Sequence, residues 1–155
     1  LYSSAASDVY KRQSQIRGKI LPGPTASILF TSSPEPATVG ELRQNGQLVV
    51  KYDPVRAKLT QNDFGPASWG VKAVIKFMPG GELEERPAVE FENRPGRPNV
   101  ARPSAMTLKI PLTATTVEIF FKNWKRGAAD YLDNNGGAGF RFGIQPPAKQ
   151  QQLEG

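Results

Sequence analysis

The sequence predicts an all-β protein, an immunoglobulin-like antiparallel β-sandwich of about seven to eight strands. Three observations carry that reading. Trp69, Val71, Ala73, Ile75 and Phe77 fall on one side of a strict two-residue alternation, a period that no helix sustains. Short apolar runs recur between turn formers such as Asn45-Gly46, Asp53-Pro54 and Pro79-Gly80-Gly81. The chain holds 15 Gly and 14 Pro in 155 residues, too many for a helical bundle, and no segment keeps a 3.6-residue period.

The elements follow in order. Ser27 to Thr31 is an apolar run between Pro24 and Pro34, and so a first strand. In Gln47 to Tyr52, Leu48, Val50 and Tyr52 alternate with Gln47, Val49 and Lys51; Pro54, which has no N–H to donate, ends the run. Trp69 to Phe77 is the clearest strand, turned at Pro79-Gly80-Gly81 into a return strand within Leu83 to Glu92. Asn93 to Pro103, with three Arg, three Pro and a Gly, reads as an exposed loop. Met106 to Ile110 alternates again. Val117, Ile119 and Phe121, then Phe140, Phe142 and Ile144, form the last two strands of a closing unit from Thr116 to Ile144.

Composition removes several kinds of chemistry. The chain has no cysteine and no histidine, which excludes thiolate metal sites, Cys nucleophiles, Ser-His-Asp triads and disulfide staples. No stretch approaches the roughly 20 apolar residues of a membrane-crossing helix. The formal charge is +6 and the pI about 9.7, but the basic residues are dispersed, which argues against nucleic acid as the partner.

The ends read differently from the middle. Residues 3–13, Ser-Ser-Ala-Ala-Ser-Asp-Val-Tyr-Lys-Arg-Gln, resemble a translated sequencing-adapter read, and the chain opens on Leu1. On that resemblance the first 13 residues are not native, the true start is missing and the cellular compartment stays open. Residues 1–24 are therefore expected to be disordered or artefactual, 25–144 to form the sandwich, and 145–155, polar and Pro-containing, to be a disordered tail.

Chemistry could sit between the last two strands. Asn123 to Gly139 gathers Trp124, Tyr131, Asp130, Asp133, Asn134 and Asn135 between glycines that let the backbone turn tightly. Three readings compete. In the structural one, the Asx side chains cap their own turn while Trp and Tyr cover the core. In the glycan reading, Trp124 and Tyr131 stack on sugar rings and Asp133, Asn134 and Asn135 bond the hydroxyls. In the third, Asp130, Asp133, Asn134 and Asn135 offer oxygen ligands to calcium, though without EF-hand spacing.

Two resemblances bear on this. Asp133-Asn134-Asn135-Gly136-Gly137, followed by Phe140-Arg141-Phe142, resembles the closing motif of starch- and glycogen-binding modules, and implies polysaccharide binding. This chain departs from it in having Leu132 before Asp133 and Gly139-Phe140 where the motif has Asn-Tyr. A longer likeness covers roughly residues 26–144. Ile28-Leu29-Phe30-Thr31, Tyr52-Asp53-Pro54-Val55-Arg56, Trp69-Gly70-Val71 and Phe121 to Trp124 are similar to a bacterial family of uncharacterised β-sandwich domains (DUF6209-like). That family often carries two cysteines that are absent here. The resemblance implies the sandwich and names no activity.

An enzyme would have to rely on carboxylates such as Glu82, Glu84, Glu85, Asp130 and Asp133. A glycosidase needs two of them about 5 to 10 Å apart across a cleft, for which short loops leave little room. The expectation is a non-catalytic binding module with no cofactor and no metal. Its ligand residues are Trp124, Tyr131, Asp133, Asn134 and Asn135, and its partner is a polysaccharide or glycan. The alternative is a structural or protein-interaction domain whose loop only closes the fold, with Trp124 and Tyr131 buried. A third reading is polyanion binding through Arg94, Arg97 and Arg102 with Lys122, Lys125 and Arg126.

Overall fold

A computed structural model describes residues 23–81 and 83–147. The adapter-like segment, the end of the expected tail from residue 148 on, and Glu82 lie outside the described residues. Eleven strands follow in order: β1 (Thr25–Phe30), β2 (Ala37–Val39), β3 (Gln47–Tyr52), β4 (Trp69–Met78), β5 (Leu83–Pro87), β6 (Val89–Arg94), β7 (Arg97–Pro103), β8 (Met106–Lys109), β9 (Thr116–Lys125), β10 (Tyr131–Asp133) and β11 (Phe140–Gly143). Three-residue 3-10 turns lie at Pro54–Arg56 and Asn135–Gly137.

The protein is an all-β sandwich. One sheet has the order β2-β1-β3-β8; in the other, β9 and β4 run side by side, with β5 beyond β4 and both β10 and β11 along the far edge of β9. The inward rows of the two sheets form one core. Ile28, Leu48, Val50, Ile75, Val117, Ile119 and Phe121 are all fully or nearly fully buried in it. Each such side chain contributes about 1.5–3 kcal/mol over its exposed state. Phe30 of the first sheet meets Phe121 and Phe140 of the second edge-to-face, at centroid distances of 4.7 and 5.1 Å.

Several details differ from the sequence expectation. The sandwich is not wholly antiparallel, because β1 pairs with β3 in parallel. β2 turns back along one edge of β1, and the chain then passes the start of β1 to run up its other edge. The strand expected between Leu83 and Glu92 is two strands broken at Ala88, whose N–H still donates to Val71 O in line with β4 while its carbonyl accepts from Ser104 N–H, just past β7. Residues 93–103 are not a loop: they complete a two-stranded arm, β6–β7, turning at Pro95-Gly96. A two-stranded ribbon leaves one edge of each strand unpaired, so the prolines in β7 remove no bond that the ribbon needs. Within that arm, Arg94 donates to Pro98 O and Arg102 pairs with Glu92, so two of the three arginines have local partners. The bonded body also reaches past 25–144. Gly23 N–H donates to Asn45 O at 3.1 Å, and Gln145 N–H to Leu42 O at 2.8 Å.

Residues 57–68 cross from the first sheet to the second and are held by side chains instead of a ladder. Asn123, fully buried on β9, accepts from Lys58 N–H and Leu59 N–H and donates to Leu59 O and Gly70 O, at 2.7 to 3.0 Å. Asp63 accepts from the Ser68 N–H at 2.9 Å and the Ser68 hydroxyl at 2.7 Å. Those two bonds hold its carboxyl below the ordinary value of 3.8. A depressed folded-state value adds stability that is complete above the unfolded value and is lost as pH falls through the folded one. Urea midpoints of the wild type and Asp63→Asn, compared along a pH series, should therefore differ most above about pH 5 and converge in acid only below the lowered folded-state value. A difference that stays constant down to acid pH would contradict this role of Asp63.

Candidate functional site

The closing unit is organised by one side chain from the opposite sheet. Asp53 ends β3 and caps the following 3-10 turn by accepting from Val55 N–H at 3.0 Å, with Pro54 opening the turn. That turn projects Arg56 back across the end of the sandwich. Its Nε and Nη2 donate to both oxygens of Asp133 at 2.9 and 3.1 Å, and its Nη1 donates to Thr31 O and Ser33 O at 2.9 and 2.6 Å. The guanidinium lies 5.6 and 5.7 Å from the ring centroids of Phe30 and Phe140. Arg56 is 8% and Asp133 15% exposed, so water competes little for either. Burial, and then the Asp133 carboxylate, push the Tyr52 hydroxyl above its ordinary range, which keeps it neutral beneath the pair.

Between β10 and β11 the chain leaves the edge of β9 and returns to it. Asp133 stands opposite Phe121 and Phe140 opposite Ile119, so residues 134–139 form a loop opposite Phe120. The loop bonds to itself. Asn134 Oδ1 accepts from Gly137 N–H at 3.0 Å, Gly139 N–H donates to Asn134 O at 2.7 Å, and Asn135 Nδ2 donates to Gly139 O at 3.2 Å. Asn135, Gly136, Gly137 and Gly139 all have positive φ, between 54° and 100°. Only glycine, and asparagine more rarely, takes that conformation readily. The Asp-Asn-Asn-Gly-Gly run is thus accounted for by the clamp, the cap and the turn.

The five expected ligand residues are divided by this geometry. Alternation along β9 buries Asn123 and turns Trp124 outward. Tyr131 stands opposite Asn123, so it lies on the other face of the sheet from Trp124. The two rings are 40% and 39% exposed, so neither is the buried core ring that the structural alternative expects; equally, they cannot form one stacking surface. Tyr131 lines a hollow of about 430 Å³ with Arg56, Lys58 and Pro34 at the end of the sandwich. Asp133 has both oxygens bonded to Arg56, so its charge is already neutralised by a guanidinium that a calcium ion would have to displace. Among the described residues no group of three or more acidic side chains is placed to hold a metal.

On the outer face of the second sheet a different set comes together. Trp124 lies over Gly70, its neighbour across β4. A Cβ added at Gly70 would sit 2.7 to 2.9 Å from Nε1, Cε2 and Cζ2 of the indole. Those three near-equal distances place the ring across the glycine. The Trp124 ring, Lys72, Glu85 and Pro87 border a cleft of about 340 Å³. Among the described residues the Trp124 indole N–H has no hydrogen-bond partner, whereas that of Trp69 donates to Gln61 O at 3.0 Å. Further along the same row, Phe120, Leu132, Asn134 and Asn135 line a second hollow of about 620 Å³ beneath the 134–139 loop. Lys122 stands between the two, beside Lys72. Sequence reasoning missed Gly70, Phe120, Lys122 and Leu132 as companions of Trp124. Carrying the β9 alternation three residues past Phe121 would have placed Trp124 in the row of Phe120 and Lys122.

Fold and site together define a two-sheet β-sandwich, closed by a clamped loop and bearing an aromatic cleft on an outer sheet face. The chain belongs to the family of unknown function DUF6209, which matches residues 14–145. No curated protein and no solved structure gives a match.

The loop's backbone demand can be measured. Gly139 has φ +76°, and a Cβ there would meet the Glu118 side chain at 2.9 to 3.1 Å, whereas a Cβ at Gly143 meets nothing within 4 Å. Gly139→Ala should lower stability in urea by roughly 1–2 kcal/mol, and Gly143→Ala should be close to neutral. Equal effects of the two substitutions would contradict the loop geometry.

Proposed function

We propose that the protein is a non-catalytic binding module whose ligand is a polysaccharide laid along the outer face of the second sheet, with Trp124 as its stacking platform. One observation carries the reading: an indole spread over Gly70, about two-fifths exposed, beside a cleft and with its N–H unpartnered among the described residues. A flat aromatic face suits the apolar face of a sugar ring, and the free N–H can donate to a hydroxyl. From Trp124 to Phe120 the row runs about 13 Å, at roughly 3.3 Å per residue, which suits a chain of sugars better than a single ring. Asn134 and Asn135 stay in the reading as polar groups at its far end, in the hollow lined by Phe120 and Leu132. Tyr131 and Asp133 drop out of it. The carboxylates on this face, Glu85 and Glu118, are ion-paired to Lys72 and Arg141, which supports binding without catalysis.

The internal bonds of Asp133, Asn134 and Asn135 favour a second reading, a structural or protein-interaction domain whose loop only closes the fold. Affinity-gel electrophoresis against a panel of neutral and acidic polysaccharides separates the two. The wild type should be retarded in at least one gel. Trp124→Ala should weaken that retardation roughly five- to tenfold, the worth of one stacked ring, while Tyr131→Ala leaves it unchanged. Unchanged mobility in every gel, or equal effects of the two substitutions, would remove the polysaccharide reading.

A further inference from the structure

We infer that the polysaccharide is acidic, a polymer bearing a carboxylate at regular intervals; this rests on the binding reading above. The outer rows of the second sheet carry Lys72, Lys76, Lys122 and Arg141 against Glu85 and Glu118. Four cations therefore face two carboxylates. One of those carboxylates is shared: Glu85 lies 3.3 Å from Lys72 Nζ and 3.9 Å from Lys122 Nζ. The other, Glu118, is taken by Arg141 at 2.9 Å. Lys76 stands across from Glu118 on β4 and has no carboxylate within ion-pairing distance among the described residues.

This excess lies where a ligand on Trp124 would run. Lys72 and Lys122 are direct cross-strand neighbours, and Lys122 is two residues from Trp124 on the same row. Lys76 follows Lys72 by four residues, so positive charge recurs about 13 Å along β4, parallel to the Trp124–Phe120 row. Two ammonium groups around a single carboxylate leave unspent donor capacity. A ligand carboxylate accepting from them would form the stronger, charge-assisted kind of hydrogen bond. A neutral sugar would instead have to displace water from these ammonium groups without compensating their charge. Repetition along the sheet fits a polymer with an acid on successive units better than one isolated anion. Nucleic acid fits less well. Single-stranded chains are held by several aromatic platforms in a uniformly basic groove, whereas this row offers one exposed indole and intersperses two glutamates.

The test uses the whole protein with polygalacturonate as the acidic probe, amylose as the neutral one and a single-stranded DNA oligomer as a competing polyanion. Affinity is read by calorimetry at low salt and at about 0.5 M NaCl, where surface charges are screened within a few ångström. Polygalacturonate should bind more tightly than amylose and than the oligomer, and should lose most of its advantage at high salt. The Lys72→Gln/Lys122→Gln double variant replaces two side chains that are 49% and 39% exposed, so folding is not at issue. It should weaken polygalacturonate about tenfold, as expected for two exposed charge contacts, and leave amylose unchanged. Trp124→Ala should weaken both polymers. If amylose binds as tightly as polygalacturonate, without salt dependence but still through Trp124, the acidic assignment falls and the platform reading survives. Tighter binding of the oligomer overturns the assignment in favour of nucleic acid. If no polysaccharide binds, the assignment falls together with the reading beneath it.

Discussion

The Arg56–Asp133 pair ties the two sheets together at the end where the chain closes, and the local arrangement depends on it. Arg56 leaves the first sheet on a 3-10 turn, bonds two carbonyls just after β1, and reaches both oxygens of Asp133 on the second sheet. So little exposed, the pair gains from its bidentate geometry and from the two further bonds that Arg56 Nη1 makes to backbone carbonyls. It is also exacting, because removing either member strands the other charge, at a cost of roughly 3–5 kcal/mol for a buried pair. The rings of Phe30 and Phe140, in edge-to-face contact with each other, lie together against the guanidinium and shield it from water. Asp133 in turn sets where β10 lies on β9, and hence where the 134–139 loop must leave and rejoin the sheet.

From that constraint follows a division of labour within the closing unit. The inward row of β9 ends on Asn123, three of whose four hydrogen bonds carry the crossing segment at Lys58 and Leu59, while the fourth goes to Gly70 O on β4. Its outward row ends on Trp124, which faces solvent over a glycine. A single step along one strand thus separates a group that holds the fold from one free to meet a ligand. The polar run that follows belongs largely to the fold. Its carboxylate is clamped, one amide caps a turn, the other spans it, and the glycines supply positive φ. A motif that looks like a set of ligand contacts is, in this chain, first a way of making a tight excursion from a sheet edge.

The strands were the most legible part of the sequence. Period-two alternation located β3, β4, β8, β9 and β11 to within a few residues, because each buries one face and exposes the other. The β6–β7 arm was not legible. Its prolines and arginines argue for a loop, and the two-stranded ribbon that tolerates them cannot be seen from local pattern. The parallel β1–β3 pair was hidden for a related reason, since nothing in either strand records which edge its neighbour takes. At the site, Trp124 and the Asn134-Asn135 turn stood out by residue type. That Tyr131 faces away from Trp124 depends on the register of β10 against β9, which is set by Arg56, a residue 77 positions before Asp133.

The most direct measurement of this account is a double-mutant cycle on the clamp, with Arg56→Met, Asp133→Leu and the pair of changes combined, read as urea unfolding free energies. Each single change leaves the other charge stranded, so each should cost several kcal/mol. The double variant, with both charges gone, should recover much of that loss and cost less than either single change. Purely additive losses would mean that the two residues act independently and that Asp133 is not held by Arg56.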